Sequence, residues 1–197
     1  MLDNDVKDLI LKIALNDDHA SFKKVYFAYY DRLFQLAKAI TKSVEAAEEI
    51  VDDVFVKIWT KRTSLIHIDN ITVYLYVAVK NHSLNYLSKA GNVLTTNIDE
   101  VKIDFRDITP GIEEIIITAD LDRLINKTIQ KMPPQCKLVF KLVKEDGLKY
   151  REAAEILNIS IKTVEYHIAN SLKKIAQSIA AASKTTLQII DKKYLSN

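Results

Sequence analysis

Apolar residues recur along this chain three and four positions apart, the period of one face of an α-helix. Val6, Leu9, Ile10 and Ile13 set the pattern first and predict a helix from Val6 to Leu15. The polar run Asn16-Asp17-Asp18 then supplies both helix-stop and helix-start chemistry. A second stripe runs through Phe22, Val25, Tyr26, Tyr29, Tyr30, Leu33, Phe34, Ala37 and Ile40. A third helix is predicted from Val44 to Thr60 on Ile50, Val51, Val54, Phe55 and Ile58, and a fourth from Ile71 to Leu87. These four segments hold the only tryptophan, Trp59, and most of the aromatics, and they read as one domain, residues 1–88.

From 89 to 111 the periodicity lapses, and Gly91, Thr95-Thr96 and scattered acids take its place. A connection of this length is unusual inside a compact domain and reads as a flexible linker. Helical spacing returns at about Ile112 and runs to Lys131, where Met132-Pro133-Pro134 breaks it, because proline can neither continue a helix nor leave its predecessor free to do so. A helix from Gln135 to Lys144 is predicted to stop at Glu145-Asp146-Gly147, with Gly147 suited to a left-handed C-terminal position. Two more helices follow, Tyr150–Leu157 and Ile161–Ile179, giving a second domain over 112–182 and a tail, 183–197, without a readable signal. The fold class is all-α, two small helical domains joined by a linker.

Composition narrows the picture. Three Gly and three Pro in 197 residues suit helices better than sheets and turns. A single cysteine, Cys136, excludes an internal disulfide and any zinc site built on a cysteine pair, which fits a reducing cytoplasm. The first dozen residues lack the apolar core of a signal peptide, and no uncharged apolar run of about 18 residues reads as a membrane span. The net charge of +2 is unevenly spread. Residues 1–86 carry 11 Lys and Arg against 12 Asp and Glu, residues 87–120 carry 3 against 7, and residues 121–197 carry 14 against 7. A basic C-terminal part behind an acidic connector points to a polyanionic partner for that part.

The chemistry concentrates in two segments. KYREAAEILNISIKTVEYHIANSLKKI, Lys149–Ile175, has the makings of a helix-turn-helix. Ala153, Ala154 and Leu157 present a small face on which two helices can cross closely. Asn158 tolerates the left-handed turn, Ile159 plugs the core, and Ser160 caps the second helix. On that helix Val164, Ile168 and Leu172 recur every four residues and are expected to face inward. Lys162, Thr163, Glu165, Tyr166, Ala169, Asn170 and Lys173 then face outward, where a DNA-reading helix carries its contacts. The outward face is only mildly basic, and Glu165 suits DNA only if it accepts from a cytosine amino group. An ordinary helical hairpin with a solvated face is the plainer reading, but small alanines, turn Asn158, the Ser160 cap and inward Val164 in this order favour DNA binding.

The second segment is AAEEIVDDVFVKIW, Ala46–Trp59. Glu45, Glu48, Glu49 and Asp52 stand at i, i+3, i+4 and i+7, so one helical face is strongly acidic and self-repelling unless a basic partner offsets it. Acids near a helix start also suit the macrodipole, which accounts for Glu45 and Glu48 better than for Asp52 and Asp53.

Together these segments resemble the sigma-70 family, and more narrowly its extracytoplasmic-function (ECF) group. Lys149–Ile175, with Leu138–Phe140, Glu145–Leu157 and Met132-Pro133-Pro134-Gln135 ahead of it, is similar to region 4 of that family. Ala46–Trp59 is similar to region 2.2, with Asp52 where glutamine is usual, and YLYVAVKNHSLNYL, Tyr74–Leu87, to region 2.4 through Lys80 and Asn81. Asn85 and Ser88 depart from the family's usual Asp and Arg there.

The resemblance implies a bacterial initiation factor that binds core RNA polymerase and directs it to promoters. The −35 duplex would fall to Lys162, Thr163, Glu165, Tyr166, His167, Ala169, Asn170 and Lys173, and the −10 element to Lys61, Arg62, Tyr74, Lys80 and Asn81, although Tyr74 and Tyr76 also read as plain core aromatics. Contact with the β′ clamp helices would fall to Glu48, Glu49, Asp52, Asp53, Phe55 and Trp59, and the second domain would dock on the β flap. An anti-sigma protein is expected, as is a cytoplasmic location. The acidic linker would thread the RNA-exit path or simply be solvated.

Two other classes compete. A stand-alone helix-turn-helix regulator explains residues 121–180 equally well but leaves the acidic segment unused, and a protein-binding helical adaptor would lack DNA affinity. An enzyme is not indicated. His19, His67, His82 and His167 show no metal-ligand spacing, the glycines form no phosphate loop, and Cys136 has no activating neighbours in sequence. No cofactor, metal or small-molecule substrate is expected.

Overall fold

The computed structural model describes residues 3–89, 103 and 119–194. The chain forms two compact units whose main boundary falls between Asp104 and Phe105, and the secondary structure of the described residues is helical throughout. The connector expected over 89–111 lies outside the described residues apart from Lys89 and Ile103.

In the first unit, α1 (Asp3–Asn16), α2 (His19–Thr41), α3 (Val44–Thr60), a 3-10 turn (Arg62–His67) and α4 (Ile71–Lys89) follow one another with very short joints. The joints are short because each is closed by local polar chemistry. Asp17 takes the left-handed conformation, φ 54°, and Asp18 caps α2 by accepting from Ala20 N at 3.0 Å. Lys42, also left-handed, closes α2 with its N–H on Lys38 O. One residue on, the Ser43 hydroxyl accepts from Ala46 N at 3.1 Å and opens α3. The Asn70 side chain does the same for α4, accepting from Val73 N at 3.1 Å. Each such cap is worth about 1 kcal/mol.

The predicted apolar stripes form the core. Ile13 of α1, Val25, Leu33, Leu36 and Ile40 of α2, Val51, Val54 and Ile58 of α3, and Leu75 and Val79 of α4 are all buried. Full burial of each such side chain stabilises the fold by about 1.5–3 kcal/mol. Two polar contacts fix how the helices meet: the Tyr29 and Thr72 hydroxyls lie 2.7 Å apart between α2 and α4, and Lys57 Nζ lies 3.1 Å from His82 Nε2 between α3 and α4.

The second unit is built from α5 (Ala119–Gln130), α6 (Pro134–Phe140), α7 (Tyr150–Leu157) as far as Ala154, and α8 (Ile161–Tyr194). Ile129, Met132 and Cys136 are buried together, with Ile125, Phe140 and Ile175 packed against them. Pro134 occupies the first turn of α6, where a missing N–H costs nothing.

Three expectations for this unit change. The helix predicted from Gln135 to Lys144 widens after Phe140 into a π-turn, Lys141–Glu145, closed by Asp146 N donating to Lys141 O at 2.9 Å. That wider turn carries the Asp146 carboxylate back to Lys141 Nζ, 3.0 Å away. The last helix runs on through Tyr194 instead of ending at Ile179; of the helix predicted from Ile112, the part before Ala119 lies outside the described residues. Leu172, expected to face inward, is exposed at 46%. A repeat of four drifts round a 3.6-residue helix by about 40° per step, so by Leu172 the every-four stripe has left the core, and Ser171 and Ile175 point inward instead.

Candidate polymerase and promoter surfaces

In α3 the residues that pack and the residues that face out are neighbours in sequence. Ala46, Ala47, Ile50, Val51, Val54, Phe55 and Ile58 are buried, which turns Glu45, Glu48, Glu49, Asp52 and Asp53 to the exterior. None of these five acids is ion-paired with a described cation. Val56, 63% exposed, falls in the same row at i+4 from Asp52 and i+7 from Glu49. The face is therefore a row of carboxylates with an apolar side chain at its C-terminal end, which suits a partner that is basic and partly apolar.

Aromatic side chains of α2 hold this face from beneath. Tyr26 packs on Phe55 with ring centroids 4.7 Å apart and donates its hydroxyl to Asp52 Oδ1 at 3.2 Å. Burial, reinforced by the Asp52 charge, pushes the Tyr26 phenol up to about 12, so it stays a hydrogen-bond donor at physiological pH. Burial and the charges of Asp52 and Glu48 raise Tyr30 in the same direction. Phe27, one residue from Tyr26, is 65% exposed. None of Tyr26, Phe27, Tyr30 and Val56 was singled out as a site residue from the sequence. The only sequence signal of the three aromatics is their spacing along α2, which the core equally explains, and that of Val56 is its place inside Ala46–Trp59.

Two residues expected at the polymerase contact are placed differently from the acids. Phe55 is 2% exposed and sits in the core against Phe22 and Tyr26; it supports the acidic face rather than forming it. Trp59 is half-buried between His19, 4.3 Å away, and Phe22, 5.0 Å away.

The loop ahead of α4 splits likewise. Lys61 is exposed. Arg62 is ion-paired with Asp17, donates to Trp59 O at 3.1 Å and lies over the Trp59 ring at 4.9 Å. Its hydrogen bond holds the Asp17 carboxyl below the usual carboxylate range. Arg62 thus ties α1 to the end of α3. On α4, Tyr74 is exposed at 42% while Tyr76 is fully buried, which resolves the two tyrosines into one surface and one core residue. Tyr74 and Asn81 are seven apart and share a helical face, whereas Lys80 projects about a third of a turn away.

In the second unit the helix-turn-helix has the local geometry its sequence predicts. Gly147 has φ +73°, and Asn158 is left-handed at φ 55°. Ser160 Oγ accepts from Thr163 N at 3.0 Å and caps α8. Ala153, Ala154, Val164 and Ile168 are buried. Lys162, Glu165, Tyr166, Ala169 and Lys173 are exposed, while Thr163, His167 and Asn170 are half-buried.

Tyr166 is the most prominent, 66% exposed. His167 is engaged at its flank, Nε2 lying 3.0 Å from Gln135 Oε1, which ties the start of α6 to α8. Cys136, with its sulfur 3.1 Å from Ser171 Oγ, is buried behind that helix. Among the described residues no three or more of His, Cys, Asp and Glu gather as a metal site, and no helix is long and apolar enough to cross a membrane.

Comparison with known proteins accords with both halves. The family model for Sigma-70 region 2 matches residues 25–93, and that for Sigma-70, region 4 matches residues 122–175. The ECF RNA polymerase sigma factor SigW of Bacillus subtilis is 24% identical over 169 residues, covering 80% of this chain and 88% of its own. The ECF RNA polymerase sigma-E factor of Escherichia coli K12 is 21% identical over 169 residues, covering 82% and 88%. Among solved structures, CnrH in complex with the cytosolic domain of CnrY aligns with a TM-score of 0.57 at 19% identity, over 89% of this chain and 97% of that one. The sigma factor RpoE of Bartonella quintana, in complex with the anti-sigma factor NepR, aligns at 0.56 and 20%, over 81% and 96%. These two share the fold.

Proposed function

Because the chain belongs to the sigma-70 family, in its extracytoplasmic-function group, and serves as an initiation factor that takes core RNA polymerase to promoters, we propose how its residues divide that work. The exposed acids of α3, Glu48, Glu49, Asp52 and Asp53, bind the clamp helices of β′, with Val56 adding apolar contact at the end of the row and Phe55 and Trp59 holding α3 in place. Tyr74 and Asn81, with Lys61 and Lys80 on phosphates, take the −10 strand as the duplex opens. Arg62 acts by bracing this loop through Asp17 and Trp59.

Ser160-capped α8 enters the −35 major groove with Lys162, Thr163, Glu165, Tyr166, Ala169, Asn170 and Lys173. His167 positions that helix through Gln135. The second unit also docks on the β flap. Polymerase supplies the nucleotide chemistry, so this chain has no catalytic step of its own, and it acts in the cytoplasm. An anti-sigma protein is its expected regulator, since the solved relative RpoE was captured with one.

The observation that carries this reading is the unneutralised acidic row of α3, on the same chain as a helix-turn-helix. A stand-alone regulator has no use for that row. The test is co-elution of the chain with core RNA polymerase in the absence of DNA. A complex that forms with the wild type and is weakened at least tenfold by Glu48→Lys with Glu49→Lys supports the assignment. A complex indifferent to both reversals refutes it.

A further inference from the structure

The joint between α6 and α7 holds a charge imbalance that the surfaces assigned above do not use. Lys141 Nζ lies 3.0 Å from Asp146 Oδ1 and 3.8 Å from Glu145 Oε2, so one ammonium group faces two carboxylates. The Asp146 contact is a hydrogen bond, whereas Glu145 Oε2 is buried without one. Two acids sharing one buried counter-charge ionise together only at a high cost, and the proton stays on the one less well held. That acid is Glu145, whose side chain also keeps more access to water, 19% against 4% for Asp146.

Burial pushes the Glu145 carboxyl up to about 7, against the pull of Lys141 and with the help of Asp146. The other charges around the joint are occupied elsewhere or face solvent. Lys137 of α6 donates to Gln130 Oε1 at 3.5 Å, Lys144 and Arg151 are exposed, and Glu152 of α7 accepts from Lys149 N at 2.9 Å. The charges that act on Glu145 are those of Lys141 and Asp146.

The backbone makes this cluster a hinge. Lys141–Glu145 is a π-turn, a local widening that is frequent at functional positions. Two bonds close it, Asp146 N to Lys141 O and Leu148 N to Leu142 O, each 2.9 Å. Between them Gly147 is left-handed at φ +73°. The last helix is fastened to α6 independently of this turn, by His167 with Gln135 and by Ser171 with Cys136. The turn therefore sets where α7 starts, while α8 keeps its seat on α6.

We propose that Lys141, Glu145 and Asp146 form a proton-operated latch on the α6–α7 joint. With Glu145 protonated, Lys141 holds Asp146 alone and the turn is closed. When the proton leaves to water, Glu145 competes for Lys141 and repels Asp146, and the turn loosens at the start of α7. The first helix of a helix-turn-helix crosses the DNA backbone, so duplex affinity falls as pH rises. This last step rests on the assignment of α8 as the −35 helix.

The first readout is amide hydrogen exchange in the full chain, corrected for the intrinsic pH dependence of exchange. The Asp146 and Leu148 amides should be less protected than those of Ile168 and Ser171 on α8, because the latch opens without unfolding the unit. Their protection should fall about tenfold between about pH 6 and about pH 8. Glu145→Gln, which does not ionise, should hold it level. Equal protection at both ends overturns the proposal. So does protection that tracks Ile168 and Ser171 throughout, which means that the unit opens as a whole.

The second readout is the affinity of holoenzyme for the duplex that wild-type holoenzyme recovers from a randomised pool. The ratio of wild-type to Glu145→Gln affinity should fall by about three- to tenfold over the same range. A constant ratio overturns the control of DNA binding by the latch. Failure of the parent reading shows separately. If Glu165→Ala and Tyr166→Ala leave base preference untouched, α8 does not read the −35 element, and hydrogen exchange still decides whether the latch exists.

Discussion

The buried ion pair at the π-turn permits a sharp test of how the second unit is held together. Lys141 Nζ lies 3.0 Å from Asp146 Oδ1, and both side chains are 4% exposed. Glu145 Oε2 is the next acid, 3.8 Å away. The pair sits beside Leu138, Leu142 and Leu148, all buried, where an uncompensated charge is expensive. Replacing one partner of such a pair costs about 3–5 kcal/mol, whereas replacing both by neutral groups is often nearly neutral. Asp146→Asn keeps shape and one acceptor, and Glu145 remains near, so the lower end applies, about 3 kcal/mol.

For a unit of this size 1 kcal/mol moves the melting midpoint by about 4–8 °C, so the shift should be about 12–24 °C. The two units can be followed separately. Trp59 is the only tryptophan and belongs to the first unit, so its fluorescence reports that unit, while far-ultraviolet circular dichroism reports both. Asp146→Asn should split off an early dichroism transition and leave the fluorescence midpoint in place. Adding Lys141→Met should restore most of the loss. If Asp146→Asn moves no transition by more than about 3 °C, under 1 kcal/mol, the pair contributes nothing net and the argument from burial fails.

Three further outcomes follow from the same structure. Glu145 is lifted to about 7, chiefly by burial, with Lys141 opposing and Asp146 adding to the shift. Its contribution to stability is therefore full below the ordinary value of 4.5 and is lost as pH rises through about 7. Glu145→Gln should flatten the stability profile across that window and leave the variant the more stable above it; a difference from wild type that is the same at both ends of the window would rule this out. Ser160→Ala should cost the second unit about 1 kcal/mol by removing the cap on Thr163 N, read as a dichroism midpoint lower by about 4–8 °C. Phe55→Ala should destabilise the first unit by about 3–5 kcal/mol, whereas Val56→Ser should change its fluorescence midpoint by under about 0.5 kcal/mol yet weaken co-elution with core polymerase.

The caps and left-handed turns between helices were legible in the sequence, and the reason is that their chemistry is local. Asp18 and Ser160 each accept from a backbone N–H two or three residues on, and Gly147 and Asn158 take the left-handed turns their types favour. A reader of sequence needs no tertiary contact to find them. The acidic face of α3 was legible for a similar reason, since residues three and four apart share a face whatever they pack against. Polar residues that enter the core are the opposite case. Ser171 is fully buried, donating to His167 O at 2.8 Å and lying 3.1 Å from Cys136 sulfur. Only the arrival of α6 makes that position internal, and the apolar pattern pointed to Leu172 in its place.

The same limit explains why a sequence does not separate the residues of a face from those that support it. A motif is one string, but a helix turns successive letters to different sides. Within Asp52–Val56, Asp52 and Val56 face out while Val54 and Phe55 face in, and a string match credits all of them alike. Arg62 was read from its charge as a phosphate ligand, because nothing near it in sequence shows that Asp17, 45 positions earlier, comes to meet it. What separates contact from support in each case is a partner distant in sequence: Tyr26 beneath Phe55 and Asp52, Asp17 beside Arg62, Gln135 beside His167. These supporting residues set the position of the functional face without being part of it. Removing Tyr26 or Asp17 should therefore loosen the surface that Asp52 or Trp59 presents, and the chemistry of the contact would be left intact but misplaced.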